Sequence, residues 1–222
     1  EIGDLYPELI EDGGGQTTLD GATEGPRRLP IAYLWTRTVP CPNPAEKSHV
    51  VPLVRQTWLV KKANKAVALK LTPDRSSMTI SYDVVSAASA DGLGFDPEAH
   101  SKRGATSCPL CGAAVAVDYV KSEAAAGRMG TQLMAIGLLP PAGRGKTYIG
   151  SDLASALVPS EERFARMLAD LGDDGLLPPG EEISPRGLGI RVPRYGMDSF
   201  GDLFTRRQLV FRPTGRHWKL SF

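Results

Sequence analysis

The stretch Cys108-Pro109-Leu110-Cys111-Gly112 constrains this chain more than any other. Two thiolates separated by two residues, on a turn closed by glycine, form a zinc knuckle, which supplies half of a tetrahedral metal site. The other half must come from a second hairpin brought alongside. The remaining cysteine sits in Cys41-Pro42-Asn43-Pro44, where a second knuckle would read C-P-x-C, and its partner cysteine is absent. His49, eight residues on, completes a Cys3His set, and His100 is the second candidate for the fourth ligand. The alternative is a ribbon that keeps its fold without the metal. A thioredoxin-like redox pair is a weaker reading, because no βαβ pattern surrounds the motif. Three cysteines with this spacing fit metal or redox chemistry better than a disulfide framework.

The text around the knuckle predicts a loop-rich, mainly β chain. With 24 Gly and 18 Pro in 222 residues, elements should be short. Residues 1–28 read as a polar, Gly-rich lead-in loop. Leu29–Val39, Val50–Val60, Lys65–Leu71 and Met78–Val85 read as strands by residue type, the last three forming an antiparallel meander. Residues 86–107 read as a loop, Val115–Val117 as a short strand and Asp118–Ala126 as a brief helix. Thr131–Leu139 and Thr147–Ile149 pair around Pro140-Pro141-Ala142-Gly143. Ser160–Leu171 is the clearest helix, with Ser160 as N-cap and Phe164, Met167, Leu168 and Leu171 on one face. A Pro/Gly-rich stretch ends it, and a last short helix opens at Ser199. The expected class is α+β: an antiparallel meander with a zinc-ribbon-like knuckle and a few short helices. The expected divisions are the lead-in (1–28), a zinc-ribbon-like β-rich region (29–150) and a helical and loop region (151–222).

Charge is balanced, with 26 Lys and Arg against 25 Asp and Glu, so any nucleic-acid partner must be argued from local distribution. Candidate phosphate contacts are Lys61 and Lys62 on one hairpin (with Lys65 and Lys70 nearby), Lys102 and Arg103 before the knuckle, and Arg128 between two glycines. Lysine on a strand edge also serves simply to discourage edge pairing. Gly145-Lys146-Thr147 is no phosphate-binding loop: Pro140 stands where the first glycine belongs, and a turn is the reading. No G-x-S-x-G, no H-E-x-x-H and no clustered histidines suggest a catalytic centre. No apolar run reaches the length of a membrane span, and the first residues lack a secretory pattern, so a cytoplasmic chain without a membrane partner is expected. The first methionine is Met78, which predicts a fragment or a processed chain.

Several runs together resemble the adenine-specific DNA methylases that contain a zinc ribbon. They are Gly3-Asp4-Leu5-Tyr6-Pro7, Ala32 through Pro44 (AYLWTRTVPCPNP), Val51-Pro52-Leu53-Val54 and Trp58-Leu59-Val60-Lys61-Lys62. The Cys108/Cys111 knuckle follows, then Ala126-Gly127-Arg128-Met129-Gly130, Leu133-Met134-Ala135, Tyr195-Gly196-Met197, Phe200 through Thr205, and Arg207-Gln208-Leu209. The resemblance implies an insert between the halves of a Rossmann-like catalytic domain, contributing DNA or target recognition. It implies transfer of a methyl group from S-adenosylmethionine to the exocyclic amine of adenine in the full protein. The family's glycine-rich cofactor loop precedes this region and its (D/N)-P-P-(Y/F) motif follows it, so no catalytic or cofactor-binding residue is expected here and these residues alone should be inactive. Two departures stand out: the missing cysteine of the first knuckle, and the text after Val210, where Pro213 and Gly215 stop the family's apolar helix and predict a truncated or frame-shifted reading frame. The other functional reading is a stand-alone zinc-ribbon-like module that binds nucleic acid or protein.

Overall fold

The computed structural model describes residues 9–11, 17–18, 27–45, 49–102, 105–139, 145–155, 158, 160–173, 180–184, 191–205 and 208–209. Arg103, the Pro140–Gly143 turn and the text after Leu209 lie outside these. The chain divides into two compact units, Pro7–Val158 and a second made of Glu1–Tyr6 with Pro159–Phe222.

The first unit is organised by one long strand. β1 (Leu9–Glu11) and β2 (Thr17–Thr18) precede β3 (Arg27–Pro40), which is followed by β4 (Val50–Pro52). The stretch expected to be a lead-in loop therefore contributes two short strands and the start of β3. Next come the meander strands β5 (Trp58–Lys62), β6 (Lys65–Asp74) and β7 (Thr79–Ala87), then β8 (Ser101–Lys102), β9 (Ala105–Ser107) and β10 (Ala114–Val115). Helix α1 (Val117–Ala125) leads to β11 (Gly130–Leu139), β12 (Thr147–Gly150) and the short α2 (Ser151–Ser155). Every strand pairing among the described residues is antiparallel, which with the short helices makes a mixed α+β structure.

β3 has β11 along one edge; on its other edge β1 covers its beginning and β4 its end. Two bulges break the β3–β11 register, leaving Met134 unopposed on β11 and Ile31 unopposed on β3. A bulge re-aims the extra side chain, and Met134 is thereby turned into a groove described below. One face of this sheet carries Leu133, Ile136 and Leu138, packed with Tyr33, Trp35 and Ile149 against Ala154 and Val158 at α2.

The meander forms as expected, β5-β6-β7 in order, with the tight Ala63-Asn64 turn at its first corner. In β6 four successive residues, Ala66 to Leu69, are buried, so both faces of the strand are covered. Ala66 and Ala68 pack on Leu93, Trp58, Val85 and Phe95. The run Val50–Val60 is two strands rather than one. Pro52 ends β4 on the large sheet, and the chain crosses through Leu53–Thr57 before β5 joins the meander. β7 is tied to the residue after β12 and to β11: the Tyr82 amide donates to Ser151 Oγ at 2.9 Å, and Gln132 Nε2 of β11 donates to the Ile80 carbonyl at 2.6 Å. Gly150 is required there, because a Cβ would run into the Tyr82 carbonyl.

The second unit holds α3 (Glu161–Asp173), capped by Ser160, whose hydroxyl accepts the Arg163 amide at 3.4 Å. Phe164 on it is fully buried. Beyond it, Ile183 N donates to Asp198 O at 2.6 Å, and a short 3₁₀ turn (Gly201–Leu203) follows. The Asp202 carboxylate accepts the amides of Asp198 and Ser199 at 3.0 and 2.8 Å.

Candidate metal centre

Two hairpin tips build the site. β3 and β4 pair Pro40 with Val50, so Cys41 and His49 face each other across the first tip, and the Cys41 amide donates to the His49 carbonyl at 3.0 Å. Within that tip the Asn43 side chain accepts the Ala45 amide at 3.0 Å, an Asx turn that fits a Pro-flanked loop. β9 and β10 pair Ser107 with Ala114 and carry the knuckle at the second tip. There Cys108 N donates to Ala113 O and Gly112 N to Cys108 O, both at 2.8 Å. Gly112 sits at φ 78°, a left-handed conformation that a side chain would strain. The stretch read as a loop over 86–107 thus ends in two short strands, and the second of them forms this hairpin.

The tips bring Cys41, His49, Cys108 and Cys111 together, with one ligand atom of each within 4.8 Å of every other. Cys41 Sγ lies 3.5 Å from Cys111 Sγ, and His49 Nε2 lies 3.1 Å from Cys108 Sγ. A tetrahedral zinc with ordinary sulfur and nitrogen bonds has ligand–ligand edges of about 3.6–3.8 Å. The cluster therefore has both the donor set and the size to hold a metal ion such as zinc. All three thiols are free, and Cys41, Cys108 and His49 are nearly inaccessible.

Burial pushes the Cys41 thiol up to about 12, reinforced by the neighbouring Cys111 and Cys108. Cys111 is lowered to about 6, chiefly by the Ala113 backbone N–H, with Cys41, Cys108 and the Asn43 side chain helping. Asn43 therefore supports the centre as well as its turn, a role its place in a Pro-rich loop did not suggest. Without a cation, thiols so close cannot all ionise; a divalent ion supplies the charge that allows it.

Helix α1 braces the first tip, since Tyr119 OH donates to the Pro40 carbonyl at 3.1 Å. Arg128 closes the end of that helix. Its guanidinium makes a two-pronged pair with the nearly buried Glu123 carboxylate at 2.6 and 2.7 Å, and its amide donates to Glu123 O at 2.9 Å. Gly127, at φ 70°, provides the left-handed cap. His100 is not in the cluster: its Nε2 is buried without a partner among the described residues, and burial lowers its pKa. Lys61 donates to Glu98 at 2.9 Å and lies 4.9 Å from the centre of the Trp58 ring. Lys62 is exposed beside it on β5, and Lys102 belongs to β8. Among the described residues no helix is long and apolar enough to cross a membrane.

No family model, no curated protein and no solved structure matches this chain.

Proposed function

We propose that this chain is a zinc-ribbon-like segment of a DNA adenine methyltransferase, in which a structural zinc joins the β3–β4 and β9–β10 hairpin tips and the segment contributes target recognition. The convergence of Cys41, His49, Cys108 and Cys111 from separate hairpins supports the metal half. Three thiolates and one imidazole leave no position for a reacting water, the signature of a structural rather than a catalytic zinc. The methyltransferase half, with the Rossmann-like insertion and the cytoplasmic setting, rests on the resemblance of the sequence runs. In that reading S-adenosylmethionine belongs to the full protein, and DNA is met through it.

The halves are tested separately. Metal analysis of the purified chain should give close to one equivalent of zinc; less than about half an equivalent would favour a ribbon that keeps its fold without metal. Labelled S-adenosylmethionine with duplex DNA should give no methyl transfer by these residues alone, and turnover would overturn the assignment as an accessory segment. A mobility shift on duplex DNA that weakens with salt would favour the recognition role, and its absence at low salt would count against it.

A further inference from the structure

The face of the large sheet opposite α2 is left open and forms the floor of a groove. Ala32 and Leu34 of β3, Gly137 of β11 and Tyr148 of β12 share that face. Ala32 and Gly137 are small, and Tyr148 packs over Gly137, with Cε1 3.5 Å from where a Cβ would stand. The segment Gln56–Leu59 walls the groove from the meander side. This cavity of about 290 Å³ adjoins a second of about 590 Å³, and Gln56 and Met134 line both. Two aromatic residues, Trp58 and Tyr148, line the smaller cavity, whereas the Trp35 side chain packs with Leu133 on the other face of the sheet.

Its charge is arranged in a particular way. Exposed Arg55 lines the larger cavity and exposed Lys146 the smaller. The single carboxylate among the lining residues, Glu98, accepts from Trp58 Nε1 and Lys61 Nζ, both at 2.9 Å, so its charge is already matched. Flat rings for stacking, an amide for base edges and a cation at each end form the combination that holds unpaired nucleotides. A recessed trough between two β layers admits a base only if it has left its stack, which disfavours a duplex.

We propose that this groove binds single-stranded nucleic acid, with a base against Tyr148 and backbone phosphates on Lys146 and Arg55. It does not depend on the methyltransferase reading, and Lys61, Lys62, Lys65, Lys70 and Arg128, singled out in the sequence for phosphate contact, are not among the residues that line the groove.

The test is fluorescence anisotropy with the full chain and labelled ten-nucleotide probes: single-stranded DNA, RNA of the same sequence, the duplex, and an abasic strand of equal length. The single strand should bind at least tenfold more tightly than the abasic strand or the duplex. The RNA arm separates the two sources of the same chemistry. Tyr148→Leu should weaken binding by about five- to a hundredfold, the range for losing one stacked base, and Tyr148→Phe should restore most of it. Lys146→Gln and Arg55→Gln, at exposed sites that leave folding intact, should each flatten the salt dependence. Equal affinity for the abasic strand would overturn the proposal. So would Lys146→Gln and Arg55→Gln variants that bind like the unaltered chain, whatever happens to Tyr148→Leu. Methyltransferase activity of a longer protein would leave either result untouched.

Discussion

If the Cys3His cluster holds zinc as proposed, chelating it should cost the chain a large part of its stability, and the size follows from where the four residues lie. Cys41 and Cys111 are 70 residues apart in sequence, His49 and Cys108 59 apart. A cross-link over such a separation removes about 4 kcal/mol of chain freedom from the unfolded state. Among the described residues, β10 and β9 pair at two positions, and the Tyr119–Pro40 hydrogen bond braces the first tip. For a chain of this size, 4 kcal/mol corresponds to roughly 8–16 °C in melting temperature. Differential scanning fluorimetry of zinc-loaded protein, with and without a strong chelator, measures this directly. Cys108→Ser should reproduce the chelated value and show no further shift with chelator. A chelated protein melting within about 2 °C of the loaded one would refute the reasoning, because the tips would then be held by protein contacts alone.

The remaining perturbations probe the ligand set and the supports around it. His49→Ala should abolish zinc retention, and adding Pro44→Cys, which rebuilds the C-x-x-C spacing of the first knuckle, should recover it; metal analysis of both variants checks this, and His100→Ala should retain the full equivalent. Gly150→Ala should destabilise by about 1–3 kcal/mol, since the new Cβ meets the Tyr82 carbonyl on β7; urea unfolding reports it, and a neutral result would mean that β7 is not docked there. Arg128 holds the Glu123 carboxyl below its usual range through hydrogen bonds and charge, and Glu123→Gln should cost about 1–2 kcal/mol at neutral pH. Because the folded value is the depressed one, that contribution is whole above the unfolded carboxylate value of about 4.3 and fades as pH falls through the folded value. Stability curves of Glu123→Gln and the unaltered chain should therefore converge in acid; a constant gap would show that Glu123 acts through shape rather than charge.

Much of the candidate metal cluster was legible in the sequence because its information is local. A C-x-x-C with a closing glycine dictates its own turn, and His49 stands out eight residues after Cys41, but the Pro40–Val50 pairing that sets Cys41 and His49 face to face came only with the structure. His100 has no such relation to the knuckle. The strand change at Pro52 was not legible, since an apolar run from Val50 to Val60 looks alike whether it serves one sheet or two. The groove was less legible still, because it is assembled from β3, the 53–57 crossing, β5, β11 and β12, and Met134 of β11 sits at a bulge. The same crossing connects what the sequence keeps apart. β4 leaves the tip that carries Cys41 and His49, continues through Leu53, whose amide donates to Arg37 O at 2.8 Å, and the chain then supplies Arg55 and Gln56 to the groove. A metal held by Cys41 and His49 would pin the strand pair from which the groove wall departs. Losing the metal should loosen that wall and weaken single-strand binding through the ordering cost, while the salt dependence set by Arg55 and Lys146 stays the same. Equal affinity with and without zinc would instead mean that the crossing is held by its own contacts with β3 and the meander, and that the two sites share a strand without sharing free energy.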